Sequence, residues 1–210
     1  MKAATIICMF SGIVQEIGIV KSLQMKDGIL DLVISSNELI KNLKNGSSIA
    51  VNGCCLTVAN ITQSFFKIQI TEETLKKTNL VNLKIGSKVN LESSLKLGET
   101  IDGHLVSGHV DTVGKISGIT SSGDNKIIKI SFGGDYQKYI APKGSVAING
   151  VSLTVINSKN NEFDFTLIPF TRDNTNLGLI KIGDLVNLEI DLISRYLINY
   201  LENKKQEVKI

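Results

Sequence analysis

Apolar residues along this chain alternate mostly with a period of two. Ser48-Ile49-Ala50-Val51, Leu56-Thr57-Val58-Ala59-Asn60-Ile61, Phe66-Lys67-Ile68-Gln69-Ile70 and Lys126-Ile127-Ile128-Lys129-Ile130 are bounded by Gly, Asn, Asp and Ser, as short strands are. Asn52-Gly53 and Asn149-Gly150 sit between apolar runs and tolerate positive φ, which predicts tight turns. Strands spaced by about ten residues predict an all-β chain with a small closed antiparallel barrel in each half, a form that leaves no hydrophobic sheet edge exposed. Two segments break the alternation. Residues 36–43 read as a short helix with a polar cap, and Thr71-Glu72-Glu73-Thr74-Leu75 begins a turn that ends near Asn79. Near the end, Ile193, Leu197, Tyr200 and Leu201 recur at helical spacing beside Arg195 and Glu202, followed by a polar tail over residues 203–209. On pattern alone, that apolar stripe suits the covering of a barrel end and a subunit interface equally.

The halves repeat one another. Asn52-Gly53-Cys54-Cys55-Leu56-Thr57-Val58 returns as Asn149-Gly150-Val151-Ser152-Leu153-Thr154-Val155, and Lys84-Ile85-Gly86-Ser87-Lys88-Val89-Asn90-Leu91-Glu92 as Lys181-Ile182-Gly183-Asp184-Leu185-Val186-Asn187-Leu188-Glu189. Gly53 and Gly150, Thr78 and Thr175, and Lys84 and Lys181 each stand 97 residues apart. A register held over several motifs marks a duplicated module, and this period points to two tandem domains rather than a solenoid, whose repeats run to about 20–50 residues.

Net charge is only +3 and no basic cluster is interleaved with aromatics, so the footprint of a nucleic-acid binder is missing and a small-molecule ligand is expected. Cys8, Cys54 and Cys55 lack CxxC spacing, which speaks against a disulfide framework or zinc site. No run approaches the roughly 20 apolar residues of a membrane span, and Met1 to Cys8 are a poor secretory signal. The expectation is a cytoplasmic protein without a membrane partner.

Candidate chemistry is sparse. The two histidines, His104 and His109, lie in Asp102-Gly103-His104-Leu105-Val106-Ser107-Gly108-His109-Val110-Asp111. Five residues apart in an extended run they point to opposite faces, a poor arrangement for one metal, so none is expected. A histidine beside glycines suits a site needing a proton carrier under a closely approaching backbone. At matching positions the first copy carries Cys55 and the second Ser152, each followed by Leu-Thr. Neither stands in a nucleophile elbow or a cysteine-protease signature. Thr57 and Thr154 can both donate to and accept from a polar ligand. Two equivalent pockets are implied.

With Met9-Phe10-Ser11-Gly12-Ile13-Val14, Gly103-His104-Leu105-Val106-Ser107-Gly108-His109-Val110-Asp111 and the two Asn-Gly motifs, the chain from Met9 to about Leu201 resembles the riboflavin synthases of the alpha-chain type. The resemblance implies two six-stranded antiparallel Greek-key barrels over residues 9–97 and 98–194, with a C-terminal helix and tail over 195–210 joining three chains into a homotrimer. It also implies productive sites between the N-barrel of one chain and the C-barrel of its neighbour. The family's reaction is a dismutation: one 6,7-dimethyl-8-ribityllumazine gives a four-carbon unit to another, yielding riboflavin and 5-amino-6-ribitylaminouracil without cofactor or metal. One lumazine loses a proton from its 7-methyl group while the other accepts a nucleophile at C7. Whether the enzyme that forms the lumazine is a partner stays open. Two related pockets brought face to face meet the proximity requirement for two copies of one substrate.

Carried over by position, lumazine contacts in the N-barrel are Gly12, Ile13 and Val14, Cys55, Leu56 and Thr57, and Gln69, Ile70, Thr71, Glu72, Glu73 and Thr74. Those in the C-barrel are Gly108, His109 and Val110, Lys143, Ser152, Leu153 and Thr154, and Ile168, Pro169, Phe170, Thr171, Arg172 and Asp173. His104 and Ser152 are the candidates for proton handling and for activating water or a hydroxyl, with Cys55 and Asp191 supporting and Phe10 packing near the site. The chain departs from the family pattern in the eight residues before Met9, in Asn149 where many members carry Asp, and in Asp102 and Arg172, which replace Gly and an apolar residue. An amide at 149 cannot act as a general base. Non-catalytic lumazine and flavin antenna proteins share the barrel pair and form the competing class, against which Cys55, His104 and Ser152 speak. A flavin-reductase barrel would be followed by a nucleotide-binding domain with GxGxxG, and none follows.

Overall fold

The alternating runs become twelve strands in a computed structural model that describes residues 9–207, with side chains as far as Lys204. Cys8 with the rest of residues 1–8, and the end of the expected tail, lie outside the described residues. β1 (Glu16–Lys26), β2 (Ile29–Ser35), β3 (Ser48–Val51), β4 (Cys54–Ile61), β5 (Phe65–Thr71) and β6 (Lys88–Ser93) close into a barrel in the order β1-β2-β5-β4-β3-β6. β7 (Thr112–Ser122), β8 (Asn125–Phe132), β9 (Ser145–Ile148), β10 (Val151–Lys159), β11 (Glu162–Leu167) and β12 (Leu185–Ile190) repeat that ring as β7-β8-β11-β10-β9-β12. All pairings are antiparallel, so the expected pair of six-stranded barrels is present. Register shifts at Val20/Ser22 and Val58/Asn60 recur at Ile116/Gly118 and Val155/Ser158. Such bulges add the local twist that bends long strands into small closed barrels.

Each interior is filled, by Ile34, Val58, Ile68 and Leu91 in one barrel and by Ile130, Val155, Phe165 and Leu188 in the other. Apolar side chains occupy these interiors, which directs ligand binding to the outer walls. The Asn-Gly turns form as expected, with φ of 46° and 74° at Asn52 and Gly53, and 46° and 77° at Asn149 and Gly150. The two turns also meet: a Cβ on Gly53 would lie 2.5 Å from the Gly150 nitrogen. The 97-residue register holds from these hairpins onward, but the partners Val20–Ile34 correspond to Ile116–Ile130, an offset of 96. One extra residue between β8 and β9 accounts for the change.

The helical expectations fare unevenly. Residues 36–43 give only a 3-10 turn at Leu39–Lys41, because the Glu16 carboxylate accepts from the backbone of Asn37, Glu38 and Leu39 and from the Ser36 hydroxyl. Thr71 caps α1 (Glu72–Lys77) and a 3-10 turn follows at Asn79–Asn82; α2 (Pro169–Asn174) is its counterpart. The last helix, α3, spans Leu192–Glu207, taking in residues 203–207 that were expected in a polar tail. Arg195 pairs with Asp111 at 2.8 Å and Lys138 with Glu202 at 2.5 Å, which holds the polar side of α3 against the second barrel. Ile193, Leu197, Tyr200 and Leu201 are left 44–67% exposed, so the stripe does not cover a barrel end of its own chain.

The barrels are joined by a buried polar seam. Asn52, Asn79 and Asn90, with Asn149, Asn176 and Asn187, exchange side-chain and backbone hydrogen bonds across it. Beside them Phe10, Ala50, Val106 and Ala147 form an apolar cluster. Asn149 thus has a structural place: its Oδ1 accepts from Asn187 N at 2.8 Å and from Asn79 Nδ2 at 3.1 Å.

Candidate active site

Strand alternation decides which of the expected residues can reach a ligand. On β4, Cys54 and Leu56 point into the core while Cys55 and Thr57 face outward, and on β5 Ile70 points inward while Gln69 and Thr71 face outward. The second copy repeats this with Leu153 inside and Ser152 and Thr154 outside. Leu56, Ile70 and Leu153, expected among the ligand contacts, are therefore core side chains, although Leu153 also borders the hollow at Ser152. The two neighbouring thiols do part to opposite faces. Burial pushes the Cys54 thiol up to about 12, which leaves Cys55 as the chemically accessible one.

His104 and Ser152 come together, His104 Nδ1 lying 2.7 Å from Ser152 Oγ. Forty-eight residues separate them, and the contact exists because the segment before β7 folds back along the second barrel. His104 N donates to Ser11 O at 3.0 Å, and Ser152 N donates to Gly12 O at 2.7 Å. Burial lowers the His104 pKa, with the Asp191 carboxylate pulling weakly the other way. The imidazole is therefore neutral near pH 7, and its Nε2 is buried without a partner among the described residues. Asp191 itself stands at the start of α3, where its carboxylate accepts from Ile193 N at 2.8 Å.

The grouping of the glycine segments differs from the expectation. The family resemblance places Gly12 to Val14 with Cys55 in the N-barrel pocket and Gly108 to Val110 with Ser152 in the C-barrel pocket. The structure crosses them. A Cβ on Gly12 would lie 2.7 Å from Ser152 Cβ, and one on Gly108 would strike Cys55 Cβ; Cys55 N donates to Gly108 O at 2.9 Å. Val14 packs against the second core and Val110 against the first. Repetition in sequence tells which copy a residue precedes, but not onto which barrel the connecting segment lies.

A hollow of about 400 Å³ opens at Ser152, Thr154, Thr166, Ile168 and Thr171. Its rim holds α2, with Pro169 in the first turn and Phe170 75% exposed. Arg172 is tied to Asp173 at 2.8 Å and reaches the Asp124 carbonyl, so this departure from the family pattern is satisfied locally. Asp102 accepts from the Thr100 hydroxyl at 3.1 Å. Lys143 is exposed at a left-handed φ of 66°. On the Cys55 side, Glu72 and Glu73 are exposed on α1 and paired with Lys76 and Lys77. His109 is exposed, away from His104, and Phe10 is fully buried in the seam cluster, with Cys55 packed against it. A larger hollow of about 500 Å³ lies at the seam, among Asn52, Asn79, Asn149 and Asn176. It holds no proton-transfer pair, so the Ser152 face is the stronger catalytic candidate.

Two buried carboxylates escaped the sequence expectations. Glu92 accepts from Ser11 N at 2.7 Å, Ser11 Oγ at 2.8 Å and Gly12 N at 3.2 Å. Glu189 accepts from Ser107 N and Oγ, both at 2.7 Å, and from Gly108 N at 3.0 Å. Burial raises both carboxyls, and these hydrogen bonds oppose it. The signal was present in the repeated Asn-Leu-Glu, where a charged residue alternates with core positions of a strand buried on both faces.

Two outer-wall faces on duplicated closed barrels define a class, and the Lumazine binding domain model matches this chain twice, over residues 11–94 and 107–191. The chain is 44% identical to the riboflavin synthase of Buchnera aphidicola subsp. Baizongia pistaciae, over 92% of each chain. It is 36% identical to that of Bacillus subtilis, over 95% of this chain and 94% of the relative. The protein belongs to the riboflavin synthase family. Its fold also matches the structure of LumP complexed with 6,7-dimethyl-8-(1'-D-ribityl)lumazine, with a TM-score of 0.77 at 27% identity over 85% of this chain and 97% of that one. LumP complexed with riboflavin matches with a TM-score of 0.80.

Proposed function

We propose that this chain catalyses the dismutation of two 6,7-dimethyl-8-ribityllumazine molecules to riboflavin and 5-amino-6-ribitylaminouracil. The observation that carries the reading is the His104 ring held 2.7 Å from Ser152 Oγ, where Ser152 lines an open outer-wall hollow. With Ser152 donating to Nδ1, the other ring proton sits on the buried Nε2. Polarised in this way, the serine oxygen, or a water it holds, adds to C7 of one lumazine and is expelled again, with its proton returned, as the four-carbon unit is transferred; the pair serves as proton carrier for the 7-methyl group of the other. Carbon leaves one substrate and joins its twin, so the exchange balances without an outside oxidant. Cys55 and Thr57 on the first barrel supply the second lumazine face.

The two faces lie on different barrels of one chain, and the reaction needs two lumazines in contact. A homotrimer built on α3, pairing the first barrel of one chain with the second barrel of its neighbour, meets that need. The exposed Leu197 and Tyr200 stripe supports it. Leu197→Glu is expected to give a folded monomer in sedimentation that binds lumazine with little turnover; a fully active monomer would refute the assembly. Among the described residues no helix is long and apolar enough to cross a membrane; a cytoplasmic location is part of this proposal.

Pure lumazine, added with no other reagent and followed by chromatography, is expected to give one riboflavin for every two lumazines consumed. Tight binding with no product would instead make the chain a lumazine carrier.

A further inference from the structure

Glu92 and Glu189 are each nearly fully buried, at 3% and 4% exposure, and neither has a cation among its hydrogen-bond partners. A carboxylate is costly to bury without one. Neither lines the hollow at Ser152, and neither has a role in the chemistry above. What each does is hold a strap. Glu92, on β6 of the first barrel, takes three hydrogen bonds from Ser11 and Gly12. The carbonyls of those same two residues accept from the backbone of His104 and Ser152, on the second barrel's face. Glu189, on β12 of the second barrel, holds Ser107 and Gly108 in the same way, and the Gly108 carbonyl accepts from Cys55 N on the first barrel's face.

We infer that Glu92 and Glu189 are crossed positioning residues: each barrel's buried glutamate sets the geometry of the other barrel's lumazine face, Glu92 that of His104 and Ser152, Glu189 that of Cys55. The inference rests on the reading of those faces as the two substrate sites. A carboxylate suits the task because it accepts only, and the serine hydroxyl, the serine N–H and the glycine N–H all donate. A glutamine would turn one amide N–H₂ toward a donor and push the strap away. The neighbouring glycines cannot be replaced either: each carries a positive φ of 76° or 77°, with the opposite strand packed against its α-carbon. The two straps therefore couple the barrels, and a disturbance of one barrel's β6 or β12 strand should reach the opposite site first.

The chain carries only two histidines, and they report separately. His104 sits on the face set by Glu92. His109 follows the strap set by Glu189, its N–H donating to Ser107 Oγ at 3.2 Å. Ring signals of histidine-labelled full-length protein should be compared for E92Q, E189Q, S11A and S107A. E92Q and S11A are expected to move the His104 ring resonances and leave His109 in place; E189Q and S107A should do the reverse. Both serine variants keep the backbone N–H bonds to the glutamates; S107A also removes the acceptor of the His109 N–H, so S11A, read at His104, decides the matter if a glutamine variant does not fold. Movement of both histidines together, of the same-barrel histidine, or of neither would overturn the inference. This readout needs no turnover, so it stands apart from the proposed reaction. In the active enzyme E92Q should also lower kcat by about a hundredfold, the order expected for a misplacement of about 1 Å, with a smaller change in KM.

Discussion

Replacement of His104 by alanine is expected to lower kcat by about 10²- to 10⁴-fold, the span of a positioned general acid or base, while lumazine still binds. Ser152→Ala should fall in the same range, and the double variant should lose little more, since two groups acting as one unit are not additive. Burial sets the pH dependence. It disfavours the imidazolium, so the folded pKa lies below the ordinary value of about 6.5. The neutral ring is then in place at neutral pH, and turnover should fall only as pH drops through that lowered pKa. The linkage has the matching sign: between the lowered value and about 6.5 the unfolded chain binds the proton more readily, so acidification through that window costs stability. A pH–rate profile of wild type and H104A checks both. An unchanged acid limb in H104A would remove His104 from the reaction.

The largest stability effect is expected at the seam. Asn187 Oδ1 accepts from the Asn79 N–H at 2.6 Å, and its Nδ2 donates to the Asn52 carbonyl at 2.8 Å. Asn187 is 1% exposed. Alanine there strands a buried donor and a buried acceptor, each at about 1–3 kcal/mol. The sum, about 4 kcal/mol, corresponds to a fall in apparent Tm on the order of 10 °C for a chain of this length. Asn203→Ala, on the exposed side of α3, serves as the control and should stay within about 0.5 kcal/mol. Calorimetry on both variants decides the point, and a shift in N187A no larger than in N203A would mean that the seam does not hold the barrels together. Asn149→Asp is also expected to weaken the seam: Oδ1 keeps its two donors, but a buried carboxylate oxygen then faces Asn176 Oδ1, now 3.3 Å from the Asn149 amide. The amide at this position is thus suited to the seam it closes.

Much of the site could be named from sequence but not assembled. Ser152, Cys55 and the threonines beside them stand out because the repeat aligns them, and strand alternation sends them outward. His104 stands out as one of two histidines next to glycine. Nothing local joins His104 to Ser152, however, because the contact depends on a segment outside the regular strands returning across another barrel. The runs copied whole from the family pattern include Leu56, Ile70 and Leu153, which alternation turns into the core. Glu92 and Glu189 end the repeated Asn-Leu-Glu, but a glutamate on a strand ordinarily faces water, and only the straps laid over β6 and β12 make that face an interior.

By itself the sequence determined the duplication, the all-β class, the two hairpins and the family, because each is written in periodicity, in turn residues with positive φ, or in a motif repeated at fixed spacing. Only the tertiary structure decided that the straps cross, that six asparagines close the seam, that residues 36–43 make a turn rather than a helix, and that α3 leaves its apolar stripe uncovered by its own chain. Those outcomes depend on hydrogen bonds and packing between residues far apart in the chain, and no local pattern carries the register of one barrel against the other.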